Sequence, residues 1–414
     1  MSKKIKDFYF LLVVLYSGLS LTFFRNNEGL IILFLIGLFI FGKSLFRPSR
    51  SLVYALGIWF LYFAINTIIV KSFHPFFFGT YIAKIVIAWW LLSNYREKIF
   101  LNFENIIYNL ALISLGFYAW QLVNPESLYS ILQHIDLSQN LFPDRKYESL
   151  GFFTFHQLGI DEKFPRNAGF TWEPGPFASY LVLAMFFNLA RNEVKINDKK
   201  RLGIFLLTLI TTQSTTGMLA LLGVVIWFAW SRNTNASYRI ISIPLAFVII
   251  TILFTSLPYL QAKIINESQQ DIELLIDNSI KYGSSYNPGR FASFQLGWKD
   301  FKTYPIAGIG GQSDLRYATQ QGADISTTNG LAQIMTKYGS IGLILFLFLI
   351  VKSGKWISQY FLVSGSLIFP GLLLIISFSF SIIETPLVVI FWLIPLFLKK
   401  KINLNRYNES HLLN

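Results

Sequence analysis

The sequence predicts an all-α polytopic integral membrane protein of about 12 transmembrane helices with two long extracytoplasmic loops. Three observations predict it. Of 414 residues 53% are hydrophobic and only 14% charged, too apolar a chain for a water-facing exterior. Apolar runs of roughly 20 residues, the length that crosses a bilayer, recur along it. The basic residues, which give a formal net charge of +13, gather in short connections and at the termini, the positive-inside pattern of membrane proteins. They include Lys3, Lys4, Lys6, Lys43, Arg47, Arg50, Arg96, Lys98, Arg191, Arg201, Arg232, Arg239, Lys352, Lys355 and Lys399 to Lys401. This placement accounts for the charge without nucleic acid. The absence of cysteine removes thiol nucleophiles, disulfides and Cys-ligated metals, and four histidines argue against a multi-His metal site.

The first runs lie near 8–24, 29–46, 51–70, 76–94 and 104–123. The basic start followed by an apolar run resembles a signal peptide, but no small-residue cleavage site follows and Arg25 leads into another apolar run, so it is read as a retained span. A sixth span begins at Pro174. Residues 202–230 make one tilted helix of about 43 Å or two short spans. The polar break at Gln213, Ser214, Thr215 and Thr216, and the need to keep Arg232 and Arg239 on the same side as Lys352 and Lys355, favour two. Further spans fall near 240–258, 328–351, 357–378 and 380–398, giving twelve with both termini inside. The chain is expected to form a single membrane domain, 1–414, with extracytoplasmic loops at 124–172 and 257–327. Both loops are nearly balanced in charge and interspersed with aromatics, glycine and proline, as in ordered loops that fold back over a membrane domain.

The first loop closes on Arg166-Asn-Ala-Gly-Phe-Thr-Trp-Glu173-Pro-Gly-Pro. Pro174 suits the first turn of a helix and Glu173 its positive end. A helix cap with a flanking cation is one reading. The other is a site in which Arg166 binds a phosphate and Glu173 accepts a proton. In the second loop Arg290, Phe294, Gly297, Trp298 and Phe301 fall at helical spacing and predict a short amphipathic helix along the interface, with Arg290 at its start. The following Gly308, Gly310 and Gly311 read as a turn rather than an anion nest. Asp314, Arg316 and Asn329 are further candidate substrate contacts. Lys84, mid-span and the one clear charge within the spans, is a candidate ligand for a lipid-linked phosphate. Asn66, Asn109, Gln121 and Gln213 are expected to make interhelical hydrogen bonds. His74, His134, His156 and His411 lie in links, loop or tail, and none falls in the second loop.

The pattern resembles the bacterial O-antigen polymerase and O-antigen ligase superfamily. The matching pieces are Arg166 to Pro176, the Thr-Thr-Gln-Ser-Thr-Thr-Gly break at 211–217, Arg290 with Trp298 and Tyr304-Pro-Ile-Ala-Gly-Ile-Gly, and Thr328-Asn-Gly leading to Tyr338-Gly-Ser-Ile-Gly342. The resemblance covers roughly residues 150–350. It implies a GT-C-like, metal-independent glycosyltransferase without cofactor, in the inner membrane with its site facing the periplasm. It further implies an undecaprenyl-diphosphate-linked oligosaccharide as donor and a sugar hydroxyl as acceptor, with Arg166 and Arg290 on the diphosphate and Glu173, or secondarily Asp314, as base. The lipid bilayer and a polysaccharide chain-length regulator are the expected partners. Thr215 stands where the superfamily often carries an arginine, so no phosphate role is carried there. Ligases are expected to have a histidine near the end of the second loop, where this chain has Thr327, Thr328 and Asn329. That difference favours a polymerase over a ligase. A flippase is the other alternative, but typically lines the midplane with several charges.

Overall fold

The computed structural model describes residues 2–18, 27–135, 147–156, 164–232, 248 and 269–398. The expected span near 240–258, apart from Val248, falls outside the described residues, as do Arg239, His411, Lys399 to Lys401 and most of the charged residues of the first loop.

Helices dominate in chain order: α1 Lys3–Ser17, α2 Asn27–Phe41, α3 Arg50–Val70, α4 Pro75–Tyr95, α5 Lys98–Val123 and α6 Pro125–Ile135. A two-stranded antiparallel hairpin follows, β1 Tyr147–Ser149 with β2 Thr154–His156, in the register Tyr147 to His156. After it come α7 Pro174–Arg191, α8 Lys199–Thr212, α9 Thr215–Arg232, α10 Ile272–Tyr282, α11 Arg290–Thr303 and the single turn α12 Tyr317–Gln320. The chain then runs through α13 Gly330–Phe361, α14 Ile368–Ser379, α15 Pro386–Trp392 and α16 Ile394–Phe397. Local chemistry sets several starts. Ser49, Asp198 and Asn329 cap α3, α8 and α13 through their side-chain oxygens, and Pro75 and Pro174 occupy first turns where no amide is needed.

Among the described residues five helical stretches are long and apolar enough to cross a membrane: 28–46, 50–70, 75–95, 98–123 and 330–361. The other expected spans, apart from the one near 240–258 outside the described residues, fall on shorter helices, so the fold is that of a helical membrane protein while the count of twelve stays an expectation. Phe39, Phe46, Phe60 and Ile68 on the outer helices are exposed, as side chains facing hydrocarbon are. By contrast α7 is buried from Pro174 to Ala190. A helix apolar all round belongs in a core, and α5, α8, α9, α13 and α14 surround it.

The region 202–230 does split. Gln213 takes a left-handed conformation (φ 49°) where α8 ends, α9 starts at Thr215, and both helices pack against α7. Fourteen residues give α8 a rise of about 21 Å, short of a ~30 Å hydrocarbon core.

Contacts define two ends of the bundle. At the basic end Lys6 donates to Asn94 and Tyr95 to Asp7, while the Glu104 carboxylate is gripped by Arg191 and Arg201. At the opposite end, here the loop end, the second loop builds a small core from Ile272, Ile276, Leu296, Ala323 and Ile325. Its helix α11 packs on α13 through Ala292, Ser293, Leu296, Gly297 and Asp300, with Gly297 against Ala332. The aromatic flank of α11 looks elsewhere. Phe291 and Phe294 meet Phe378, and Trp298 stacks on Phe301 and is 45% exposed, which fits the amphipathic helix expected from the spacing.

Candidate functional site

Two motifs distant in sequence meet at the loop end. Helix α13 breaks at Gly339 (φ 61°), which frees the carbonyls of the turn before it and the amides after it. The 304–311 segment crosses that break and satisfies both sets. Ile309 and Gly310 donate to the carbonyls of Thr336 and Lys337, and Ser340 and Ile341 donate to those of Pro305 and Ile306. Glycine is required on both strands of the crossing, because a Cβ at Gly308 would lie 2.4 Å from Lys337 and one at Gly339 would lie 2.5 Å from Ile306. Tyr62 and Asn66 of α3 reach the carbonyls of Ala307 and Gly308. Asn66 therefore binds loop backbone rather than a helix side chain. The glycines act here as a crossing, in line with their reading as a turn.

Beside the crossing is a cavity of about 150 Å³, lined by the 309–313 loop, Arg316, Thr327, Gln333, Thr336 and Lys337. Arg316 donates to the Thr327 hydroxyl (2.8 Å) and stands 3.7 Å from the Asp300 carboxylate. Asp300 is buried and also accepts from the Tyr317 amide and the Thr336 hydroxyl. Burial pushes its carboxyl above the usual range, against the lowering by that amide and Arg316.

Lys337, the other cation of the cavity, pairs with the buried Glu384 of the 381–384 turn. The same carboxylate accepts from Tyr338 and from Tyr81 (2.9 Å). Lys84 lies over the Tyr81 ring at 4.8 Å and adds a second positive charge near Glu384. Lys84 is thus not the one charge within the spans. It belongs with Lys337 to a group around the buried Glu384 that links α4, α13 and the turn before α15.

The predicted arginines occupy the same end but different settings. Arg166 is 8% exposed and donates to the carbonyls of Thr212 and Gln213, at the C-terminus of α8. Such a cation meets the negative end of the helix. Its neighbour Asn167 pairs with Thr211 through backbone and side chain and with Ser114, so the 166–172 segment docks on the polar break. Arg290 opens α11, lies over Phe380 at 5.1 Å, and accepts at its carbonyl from Asn329. The two settings are connected: Thr216, past the break, donates to Ser379, next to Phe380, and Gly175 of α7 packs against that same ring. Neither Arg166 nor Arg290 lines the cavity.

Other candidates scatter. Glu173 precedes α7 without capping it through its side chain, and Asp314 is exposed in the 313–315 turn. Asn329 is fully buried, capping α13 with one side-chain atom and bonding Arg290 with the other. Gln121 and Gln213 bond first-loop backbone at His156 and Pro165, and Asn109 is exposed. His74 caps α4, His134 bonds the Ser130 carbonyl and His156 is buried beside the hairpin.

With this geometry in place, one comparison bears on it. Residues 202–347 match the family model described as O-antigen ligase, about a third of the chain. This match supports the resemblance to the O-antigen ligase and polymerase superfamily over that stretch. No curated protein and no solved structure matches it. The stretch that carries the superfamily match runs from α8 to the middle of α13, so it contains the polar break, Arg290, Trp298, Asp314, Arg316, Asn329 and Lys337. Arg166, Glu173, Lys84 and Glu384 lie outside it. Sequence reasoning missed Lys337, Asp300, Glu104 and Glu384. The signal was present, since each charge falls in a span or on an amphipathic helix where burial demands a partner.

Proposed function

We propose that this member of the O-antigen ligase and polymerase superfamily is a polysaccharide polymerase of GT-C-like design. It transfers an undecaprenyl-diphosphate-linked glycan onto the sugar hydroxyl of a second lipid-linked repeat unit, at the outer face of the bacterial inner membrane. The observation that carries this reading is the cation-lined cavity at the loop end, closed by the second loop and adjoining the segment that bears Arg290.

Attack at the anomeric carbon forms the new glycosidic bond and breaks the bond to the diphosphate oxygen. Positive charge grows on the sugar and negative charge on the departing lipid diphosphate. Fixed guanidinium groups stabilise that leaving group without a metal, a task assigned to Arg290 and Arg316, which bracket the 327–329 segment. Arg166 holds the first-loop segment on the polar break and places Glu173 at the head of α7. A carboxylate takes the proton of the acceptor hydroxyl, Glu173 first and Asp314 second. Trp298 and Asn329 are assigned to the glycan side, Trp298 as a stacking surface and Asn329 by fixing the Arg290 backbone. Lys84 acts at a distance on the lipid phosphate.

Polymerase is favoured over ligase by the 327–329 segment, where ligases are expected to carry a histidine. Here Thr327 accepts from Arg316, Thr328 meets Ser293 and Asn329 caps α13, so all three are engaged within the fold. A chain-length regulator is the proposed protein partner. Deletion in the native host tests the reading: surface glycan one repeat long on its lipid core supports a polymerase. Complete loss of surface glycan would make the protein a ligase, and repeat units trapped inside would make it a flippase.

A further inference from the structure

Both cations of the cavity are paired with a buried carboxylate. Arg316 stands by Asp300, which is 3% exposed, and Lys337 by Glu384, which is 7% exposed. Thr336 joins the two halves, lining the cavity while donating to Asp300. The four formal charges cancel, so an anion in the cavity is attracted by the two cations and repelled by the carboxylates beside them. Glu384 is the more firmly fixed carboxylate. Two phenols hold one of its oxygens and Lys337 takes the other. Lys337 in turn is anchored at its carbonyl by the Gly310 amide and by Tyr62, while its side chain stays 35% exposed and able to turn. A lysine with three rotatable donors can exchange one oxyanion for another, which a bidentate arginine pair does less readily.

We propose that Lys337 is a diphosphate-binding residue of this cavity together with Arg316, and that Glu384 is its positioning residue, competing with the bound diphosphate for Lys337 and so promoting product release. The inference rests on the function proposed above for the nature of the anion. It adds a second cation to the site and a reason for a buried carboxylate beside it. The lysine stabilises charge while the diphosphate departs, then returns to Glu384.

The test is calorimetric titration of inorganic pyrophosphate into the full chain in lipid nanodiscs. Wild type is expected to bind one equivalent. Lys337→Met and Arg316→Met should each weaken binding by about tenfold or more, the scale of one charge-assisted contact. Glu384→Gln should tighten it by about threefold to tenfold, and adding Lys337→Met should abolish that gain. A purely structural carboxylate would give no tightening, and loss of affinity in Glu384→Gln overturns its role. Should Glu384→Gln not fold, the other two variants still decide the site, since unchanged pyrophosphate affinity in Lys337→Met refutes it, as does absence of binding to wild type. Glycan transfer is measured separately on the same preparations. Pyrophosphate binding as predicted without transfer would remove the polymerase reading and leave the anion site standing, whereas transfer unimpaired in Lys337→Met and Arg316→Met would do the reverse.

Discussion

Glu104 and Glu384 are both carboxylates buried in a helical bundle, at opposite ends of it, and their surroundings differ in kind. Glu104 of α5 is fully buried and receives Asn188, a two-pronged contact from Arg191 (3.0 and 3.1 Å) and Arg201 at 3.6 Å. Every partner belongs to α7 or to the start of α8, so the cluster staples three helices at the basic end. Glu384 receives two phenols and a single lysine, and that lysine borders a cavity. Burial of charge is costly in both places and needs a partner. What separates a staple from a working group is whether the partner also borders a cavity. One arginine fork, a second arginine and the Asn188 amide surround the Glu104 carboxylate, whereas a lysine shared with a cavity leaves a contact that an anion can take over.

The contrast can be tested by substitution. The largest effect is expected at the loop end on activity: Arg290→Ala should lower glycan transfer by at least about a hundredfold, the usual scale for losing one charge stabiliser in a transition state, while thermal unfolding in detergent stays close to wild type. Full transfer in that variant would remove Arg290 from the site. At the basic end, Glu104→Gln should instead act on stability. It leaves Arg191 without its counter-charge, and Arg201 with Asp198 alone, and costs about 3 kcal/mol, read as a large fall in Tm or loss of folded protein. A mild loss would mean that the cluster is not the staple described. Next, Gly339→Ala forces a side chain into a left-handed backbone and against the Ile306 carbonyl, so a loss of about 1 to 3 kcal/mol is expected, with transfer reduced because the 304–311 crossing shifts. Wild-type melting and transfer in this variant would contradict the crossing. Smallest of all, His134→Ala removes an exposed ring that meets a neighbouring carbonyl in its own helix. Stability should stay within about 0.5 kcal/mol and transfer unchanged; reduced transfer would bring the first loop's histidine into the site.

The helical membrane architecture was legible because apolar run length alone encodes it. Helix starts at Pro174 and Arg290 and the break at Gln213 were legible from local chemistry. The placement of motifs was not. Nothing in the sequence says that the 304–311 segment crosses the break at Gly339, because that contact depends on a backbone defect in a helix whose hydropathy is continuous. Arg166 read as a phosphate ligand by residue type, and only the fold reveals that its guanidinium reaches the end of α8. Lys337 and Glu384 were hidden for a related reason. Each sits alone within an apolar run, and a single charge does not announce its partner 47 residues away.

The most direct test is reconstitution of the full chain in liposomes with chemically defined undecaprenyl-diphosphate-linked repeat units, followed by mass analysis of the products. The account predicts a ladder of extended lipid-linked glycans with release of undecaprenyl diphosphate, abolished by Arg290→Ala and slowed by Arg316→Met. Repeat units that remain unextended beside correctly folded protein, or a ladder unchanged in both variants, would contradict it.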